Sequence, residues 1–200
     1  MAKISMQGNK QQKIYDKFYI VKNTLFKFLF KPLTKMGVTP NMVSMLSLLF
    51  GAVAAVFLMY DMFIAFFLLM VSYVIDGLDG SLARYQKKDS IFGIFVDAVV
   101  DLFINLFVVM VLVHMGLLMG SLGVMYMFLY ALIYVTSYMR SFFNKTSNWT
   151  VLPRFYFYFM ILFYVLGIAN LFDFAALVFS LLMVVMVVRD TIVLRGCLDK

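Results

Sequence analysis

Six stretches of this chain are long and apolar enough to cross a lipid bilayer, which leaves few choices for its fold. A helix needs about 20 apolar residues to traverse the hydrocarbon, and such runs occupy roughly 42–60, 62–83, 91–113, 122–143, 155–171 and 174–193. The polar breaks between them are YD (60–61), RYQKKD (84–89), GLLMGSLG (116–123), NKTSN (144–148) and NLFD (170–173). Hydrophobic residues fill 64% of the 200 positions, against ~45–50% in an average soluble domain, so a soluble globule is excluded. The expectation is an all-α integral membrane protein with six transmembrane helices.

The basic residues orient it. Eight lysines precede residue 36; Arg84, Lys87 and Lys88 lie between spans two and three; Arg140, Lys145 and Arg154 lie between spans four and five; Arg189, Arg195 and Lys200 close the chain. These are all 17 Lys and Arg residues, and six spans put every one on the same side. By the positive-inside rule that side is cytoplasmic, with both termini. The chain should therefore be a multi-pass protein of the cytoplasmic membrane. The two glycosylation-like sequons at 144–146 and 148–150 fall on that side and are not expected to be modified. Cys197 has no partner for an internal disulfide, and CLDK is not a prenylation box.

The segment ahead of the first span has a different pattern. On a helical wheel Ile14, Phe18, Val21, Leu25, Phe28 and Leu29 share one arc, while Lys13, Asp16, Lys17, Thr24, Lys27 and Lys31 fill the other, with Ile20 and Lys22 as exceptions. That suits an amphipathic helix lying in the headgroup plane and drawn to anionic lipid. It lacks the apolar core of a cleaved signal peptide. The expected organisation is an interfacial segment over 1–36 and one six-helix transmembrane domain over 37–200.

Four carboxylates are set into these apolar helices. Asp76 and Asp79 are spaced i,i+3 near the cytoplasmic end of span two; Asp97 and Asp101 are spaced i,i+4 near the cytoplasmic start of span three. At 1.5 Å per residue Asp79 and Asp76 lie roughly 9 and 13 Å in from Tyr85, and Asp97 and Asp101 roughly 10 and 16 Å in from Ser90. The depths match, so one cytoplasm-facing pocket can hold all four. Clustered carboxylates repel in low dielectric unless cations sit among them. Hard divalent ions bound by oxygen are the natural occupants, and two of them about 3.5–4 Å apart would make a two-metal phosphoryl-transfer site. Gly77, Gly80, Ala83 and Gly93 leave the facing surfaces nearly bare, and Arg84 stands at the water boundary with a fork suited to phosphate oxygens.

From Asp76 to Asp101 the residues read D-x2-D-G-x2-A-R-x8-G-x3-D-x3-D. This run resembles the complete signature of the CDP-alcohol phosphotransferases, and GVTPNMVS (37–44) is similar to that family's approach to its first span. The resemblance implies a reaction. A CDP-linked lipid such as CDP-diacylglycerol binds with its diphosphate on two Mg²⁺ or Mn²⁺ ions, and a small polar alcohol attacks the phosphorus distal to cytidine, releasing CMP. It further implies Asp76, Asp79, Asp97 and Asp101 as metal ligands and Asp101 as general base. Asp76, Asp79, Gly80, Ala83, Arg84 and Gly93 would contact the CDP diphosphate and cytidine. Membrane lipids are partners, a homodimer is implied, and no nucleic-acid partner is expected. The physical reading agrees on the base, since Asp101 is the deepest carboxylate and a base must reach the attacking hydroxyl.

The acceptor is less constrained. Arg140, Lys145 and Arg154 together could hold the phosphate of inositol phosphate or glycerol phosphate, or they could serve only as topology determinants. Inositol-phosphate users in the family tend to carry an Arg-Ala-Arg-Ala-Glu-like run where RSFFN (140–144) stands here. Serine or another free alcohol, or transfer of a CDP-linked headgroup to diacylglycerol, stays open. A rival class, an ion or proton transporter, also uses intramembrane Asp. The acids here stop in the cytoplasmic half, however, and no inverted repeat is evident. Asp61 and Asp173 read as solvated turn residues, and GLLMG (116–120), beside His114, as a loop.

Overall fold

The computed structural model describes residues 30–88, 90–142 and 153–198. The amphipathic stretch over 14–29, the sequons and Lys145 lie outside them. Six helices follow in order: α1 Pro40–Phe57, α2 Met62–Tyr85, α3 Ile91–His114, α4 Gly120–Phe142, α5 Pro153–Val165 and α6 Phe172–Leu198. A helical turn over 30–35 precedes them. No strand occurs among the described residues. Among the described residues five helices, all but α5, are long and apolar enough to cross a membrane.

Local chemistry sets the boundaries. Thr39 caps α1, its hydroxyl accepting from the Met42 amide at 3.4 Å, and Pro40 occupies the first turn, where its missing N–H costs nothing. Asp61 caps α2 by accepting from the amides of Phe63 (2.9 Å) and Ile64 (3.1 Å), so this expected turn residue has a structural task. Ser90 caps α3 through the Gly93 amide at 3.0 Å. The turn from α2 to α3 closes with Lys87 in the left-handed region (φ 56°). There the Lys88 amide reaches the Ala83 carbonyl at 2.8 Å, a Schellman closure with lysine where glycine is usual.

The expected fifth span, 155–171, ends early. Gly167 (φ 70°) closes α5 with paired bonds from its own amide to the Tyr164 carbonyl (3.0 Å) and from Ile168 to Phe163 (3.1 Å). The helix therefore has 13 residues, about 20 Å, short of the ~30 Å hydrocarbon.

The helices form one bundle. α1 packs along both α2 and α3, α4 packs on α6, and α5 fits between α2 and α6. α2 and α3, although consecutive, approach each other closely at few positions. Buried side chains from every helix, among them Leu58, Leu69, Ile104, Leu112, Tyr126, Phe157, Phe172 and Met183, make one continuous core. Phe67, Val74, Met110, Phe128 and Val185 point outward, as a lipid-facing surface requires. At the end away from the aspartates, the Asp173 carboxylate accepts from the Met119 amide at 2.7 Å and Asn170 reaches the Leu117 carbonyl at 3.3 Å. Asp173 thus ties the start of α4 to the start of α6 rather than standing free in a turn. GLLMG is a turn with Gly116 at φ 70°, leading into α4.

The wedge of α1 between α2 and α3 depends on Gly51. A Cβ there would meet the Cγ1 and Cγ2 atoms of Ile104, each at 2.7 Å, and Ile104 is itself wholly buried. Gly51→Ala is expected to destabilise by about 1–3 kcal/mol, the cost of overpacking. Ile104→Ala in the same chain should recover part of that loss. Thermal unfolding of the three detergent-solubilised variants measures it, and a Gly51→Ala protein as stable as its parent would contradict the close approach.

Candidate active site

Asp76, Asp97 and Asp101 meet across the gap between α2 and α3. Each offers a carboxylate oxygen, and the three oxygens lie within 4.8 Å of one another. Asp79, one turn nearer the helix end, turns toward α1 instead. Its Oδ2 accepts from the Ser44 hydroxyl and its Oδ1 from the Gly80 amide. It lines the adjoining cleft while the other three form the cluster behind.

That cleft has a volume of about 470 Å³. Asp79, Gly80, Ala83 and Arg84 of α2 form one wall; Lys88, Ser90, Gly93 and Asp97 form the next; Thr39, Pro40, Asn41 and Ser44 at the start of α1 close the third. Five of the six expected CDP contacts therefore border one space, and the sixth, Asp76, stands behind it. Gly80 is bare toward the cleft: a Cβ there would meet only the Arg84 guanidinium, at 3.5 Å. A Cβ on Gly93 would press on the Ser90 hydroxyl at 3.3 Å. Sequence reasoning missed Asn41 and Ser44 as lining residues. The signal was there, because both belong to GVTPNMVS, but nothing in a linear pattern says that α1 faces α2.

Arg154 lies inside the carboxylate cluster. Its Nη2 donates to Asp76 Oδ2 at 2.8 Å, its Nη1 donates to Asp101 Oδ1, and its guanidinium lies 5.1 Å from the Tyr73 ring centroid. Its side chain is only 6% exposed, so it is no surface anchor. Asp101 Oδ2 accepts from the Tyr134 hydroxyl at 2.5 Å. Among the described residues Asp76 Oδ1 is buried with no hydrogen-bond partner.

Of the other expected acceptor contacts, Lys145 is outside the described residues and Arg140 lies elsewhere. Arg140 is buried and ion-paired with Asp190 of α6. Arg189 donates to the same carboxylate oxygen from Nε (3.0 Å) and Nη2 (2.8 Å). Asp190 has no sequence signature, since it reads as one acid beside one base in a tail.

The donor set suits a hard divalent cation. It is all carboxylate oxygen, three oxygens converge, and Asp76 Oδ1 is buried with no hydrogen-bond partner among the described residues. Arg154 provides positive charge to this cluster.

Comparison with known proteins bears on the same residues. The profile of the family described as CDP-alcohol phosphatidyltransferase matches residues 37–193. An archaetidylinositol phosphate synthase of Pyrococcus horikoshii is 35% identical over 71 residues, covering 35% of this chain and 38% of that protein. A bifunctional IPC transferase and DIPP synthase of Thermococcus kodakarensis is 35% identical over 63 residues, 32% of this chain and 15% of that one. Its counterpart in Aquifex aeolicus is 34% identical over 62 residues, 31% and 14% respectively. The chain thus spans at most 38% of the length of these relatives. The matched region contains the whole carboxylate cluster, the cleft and all six helices but for the last residues of α6, and the chain belongs to the CDP-alcohol phosphatidyltransferase family.

Proposed function

We propose that this protein transfers a phosphatidyl group from a CDP-linked diacylglycerol lipid to a small polar alcohol, releasing CMP at the cytoplasmic face of the membrane. The observation that carries this reading is the cluster of Asp76, Asp97 and Asp101 opening beside a cleft lined by Asp79, Gly80, Ala83, Arg84 and Gly93. Cytidine and diphosphate fit a cleft of about 470 Å³ with two small-residue walls and Arg84 and Lys88 at its rim. The lipid chains would stay among the exposed apolar side chains outside.

In this reading Asp76, Asp79, Asp97 and Asp101 hold two Mg²⁺ or Mn²⁺ ions, which when bound supply positive charge for the diphosphate and the departing phosphate. Asp101 takes the proton from the acceptor hydroxyl as its oxygen bonds to the phosphorus distal to cytidine. The bond from that phosphorus to the bridging oxygen breaks, and CMP departs with the electron pair. α5 crosses as a sixth, short span, both termini are cytoplasmic, the segment before α1 rests on the headgroups, and the enzyme works as a homodimer.

Inositol phosphate is the acceptor we favour, with glycerol phosphate next, because the Pyrococcus relative is named for an inositol phosphate product. Arg154 and Lys145 would take the acceptor's phosphate, with Arg154 passing from the carboxylates to the phosphate once cations are bound.

Purified protein given CDP-diacylglycerol, Mn²⁺ and a panel of inositol phosphate, glycerol phosphate and serine should release CMP, most with inositol phosphate. No CMP with any acceptor, nor from a CDP-headgroup with diacylglycerol, would sink the enzyme reading. Asp101→Asn should keep CDP binding while turnover drops about 10²–10⁴-fold, the range for loss of a general base; undiminished turnover removes Asp101 from that role.

Arg154 gives a test that needs no turnover. Removing one partner of a buried ion pair costs about 3–5 kcal/mol, and here the cost falls on the metal-free form alone. Arg154→Gln should lower the melting temperature in EDTA and widen the rise on adding Mn²⁺, as linkage requires of a metal that now has no competitor. An unchanged or narrower interval would mean that Arg154 keeps its carboxylates when metal binds.

A further inference from the structure

Asp101 is held by a residue to which the family signature assigns nothing. Tyr134 of α4 donates to Asp101 Oδ2 at 2.5 Å. Its hydroxyl has a single proton, committed to the carboxylate, so its oxygen is left to accept. The Tyr130 hydroxyl lies 3.3 Å away and donates to it. The rings of Tyr130 and Tyr134 meet edge to face with centroids 5.1 Å apart. Tyr126, one turn further back, stacks on Tyr130 at 5.9 Å and on Phe157 of α5 at 5.0 Å. Asn105 of α3 donates to the Tyr126 hydroxyl at 3.4 Å. These tyrosines are spaced i, i+4, i+8, so one stripe of α4 is fixed by ring packing at its inner end and delivers a hydroxyl to the base at its outer end.

A carboxylate turns easily about its last torsion, because that rotamer well is broad and twofold. An Asp that must share an oxygen with cations and still receive a proton gains from having its plane fixed. We propose that Tyr134 is a positioning residue for this reaction. It holds Asp101 Oδ2 against α4, so that Oδ1 alone faces the space shared with Asp76, Asp97 and the acceptor. Oδ1 is the oxygen that meets Arg154, which also holds Asp76, and so lies on the cluster side. Tyr130 acts only through Tyr134, by fixing its hydroxyl. This assignment rests on the phosphatidyl-transfer reading above, with Asp101 as its base.

The experiment compares wild type, Tyr134→Phe, Tyr130→Phe and the double variant, as full chains in detergent. CMP release is measured against CDP-diacylglycerol, acceptor and Mn²⁺ concentrations. Phenylalanine keeps both ring contacts, so packing is retained and only hydroxyls are lost. Tyr134→Phe should lower kcat about 10- to 100-fold, the usual cost of losing a residue that orients a functional ligand. The KM for CDP-diacylglycerol and the Mn²⁺ giving half-maximal rate should stay within about twofold of wild type, since the lost hydroxyl meets Asp101 only at Oδ2, while Oδ1 faces the cluster and the donor cleft lies apart. Tyr130→Phe should lose only about two- to fivefold, and the double variant should match Tyr134→Phe, because the two act in series.

Wild-type kcat in Tyr134→Phe would overturn the proposal. So would a rise in donor KM or Mn²⁺ requirement with kcat retained, which would make Tyr134 a binding residue. A loss in Tyr130→Phe as large as in Tyr134→Phe would also overturn it, by showing that the stripe acts as packing. In each of these cases wild type still turns over and the transfer reading stands. A wild-type protein inert with every acceptor would instead remove the transfer reading, and this assignment with it.

Discussion

Buried carboxylates dominate this structure, because four Asp side chains stand in helices that otherwise present oil. Each uncompensated charge would cost several kcal/mol in such surroundings, and three of the four are met by hydrogen-bond or ion-pair partners. Asp79 is met by the Ser44 hydroxyl and the Gly80 amide, Asp101 by Tyr134 and Arg154, and Asp76 by Arg154 on one oxygen only. The partners come from α1, α4 and α5 and, for the Gly80 amide, from α2 itself, so every helix around the gap except α6 contributes to holding it. The gap also explains why α2 and α3 stay apart although a short turn joins them. Closing them would bring like charges together with no room for a cation.

The architecture around the gap follows from two local facts. Gly51 lets α1 press on Ile104 of α3 while lying along α2, so one helix bridges the pair that cannot bridge itself. Thr39 and Pro40 then start α1 where Asn41 and Ser44 face the cleft. The second fact is the shortness of α5. Its far end lies against α6 through Tyr164 and Phe172, and about 20 Å of helix does not return to the level where α2 ends. Its first turn therefore begins inside the bundle, which brings Arg154 among carboxylates instead of into headgroups.

This geometry separates what a linear reading can see from what it cannot. The Asp pairs were legible because helical periodicity alone puts i,i+3 and i,i+4 residues on one face, and equal distances from a turn give equal depth. The five long apolar helices were legible for a similar reason, since bilayer thickness sets their length. Arg154 was legible as a cation near the site but not as a buried one, because its depth depends on where Gly167 ends α5. Asp190 was passed over because an acid beside Arg189 looks like tail chemistry until α6 is packed on α4, where it meets Arg140. Tyr126, Tyr130 and Tyr134 look like three more aromatics in a span already rich in them. Only the approach of α4 to α3 turns one hydroxyl into a partner of Asp101.

The charges are also graded along the bundle axis, and that grading bears on where such chemistry can occur. Arg84 and Lys88 are exposed at the mouth, the small faces of Gly80, Ala83 and Gly93 follow, and the carboxylates lie deepest. A ligand with an anionic middle and a polar ring can pass the cations and rest on the small residues, but its anion meets carboxylates unless cations intervene. The same cluster is thus hostile to a diphosphate when only Arg154 neutralises it and receptive once divalent charge is present. In the proposed reaction, divalent cations at this cluster would set the sign of the field that the substrate meets, so that the nucleotide would be bound well only by the form equipped to react with it.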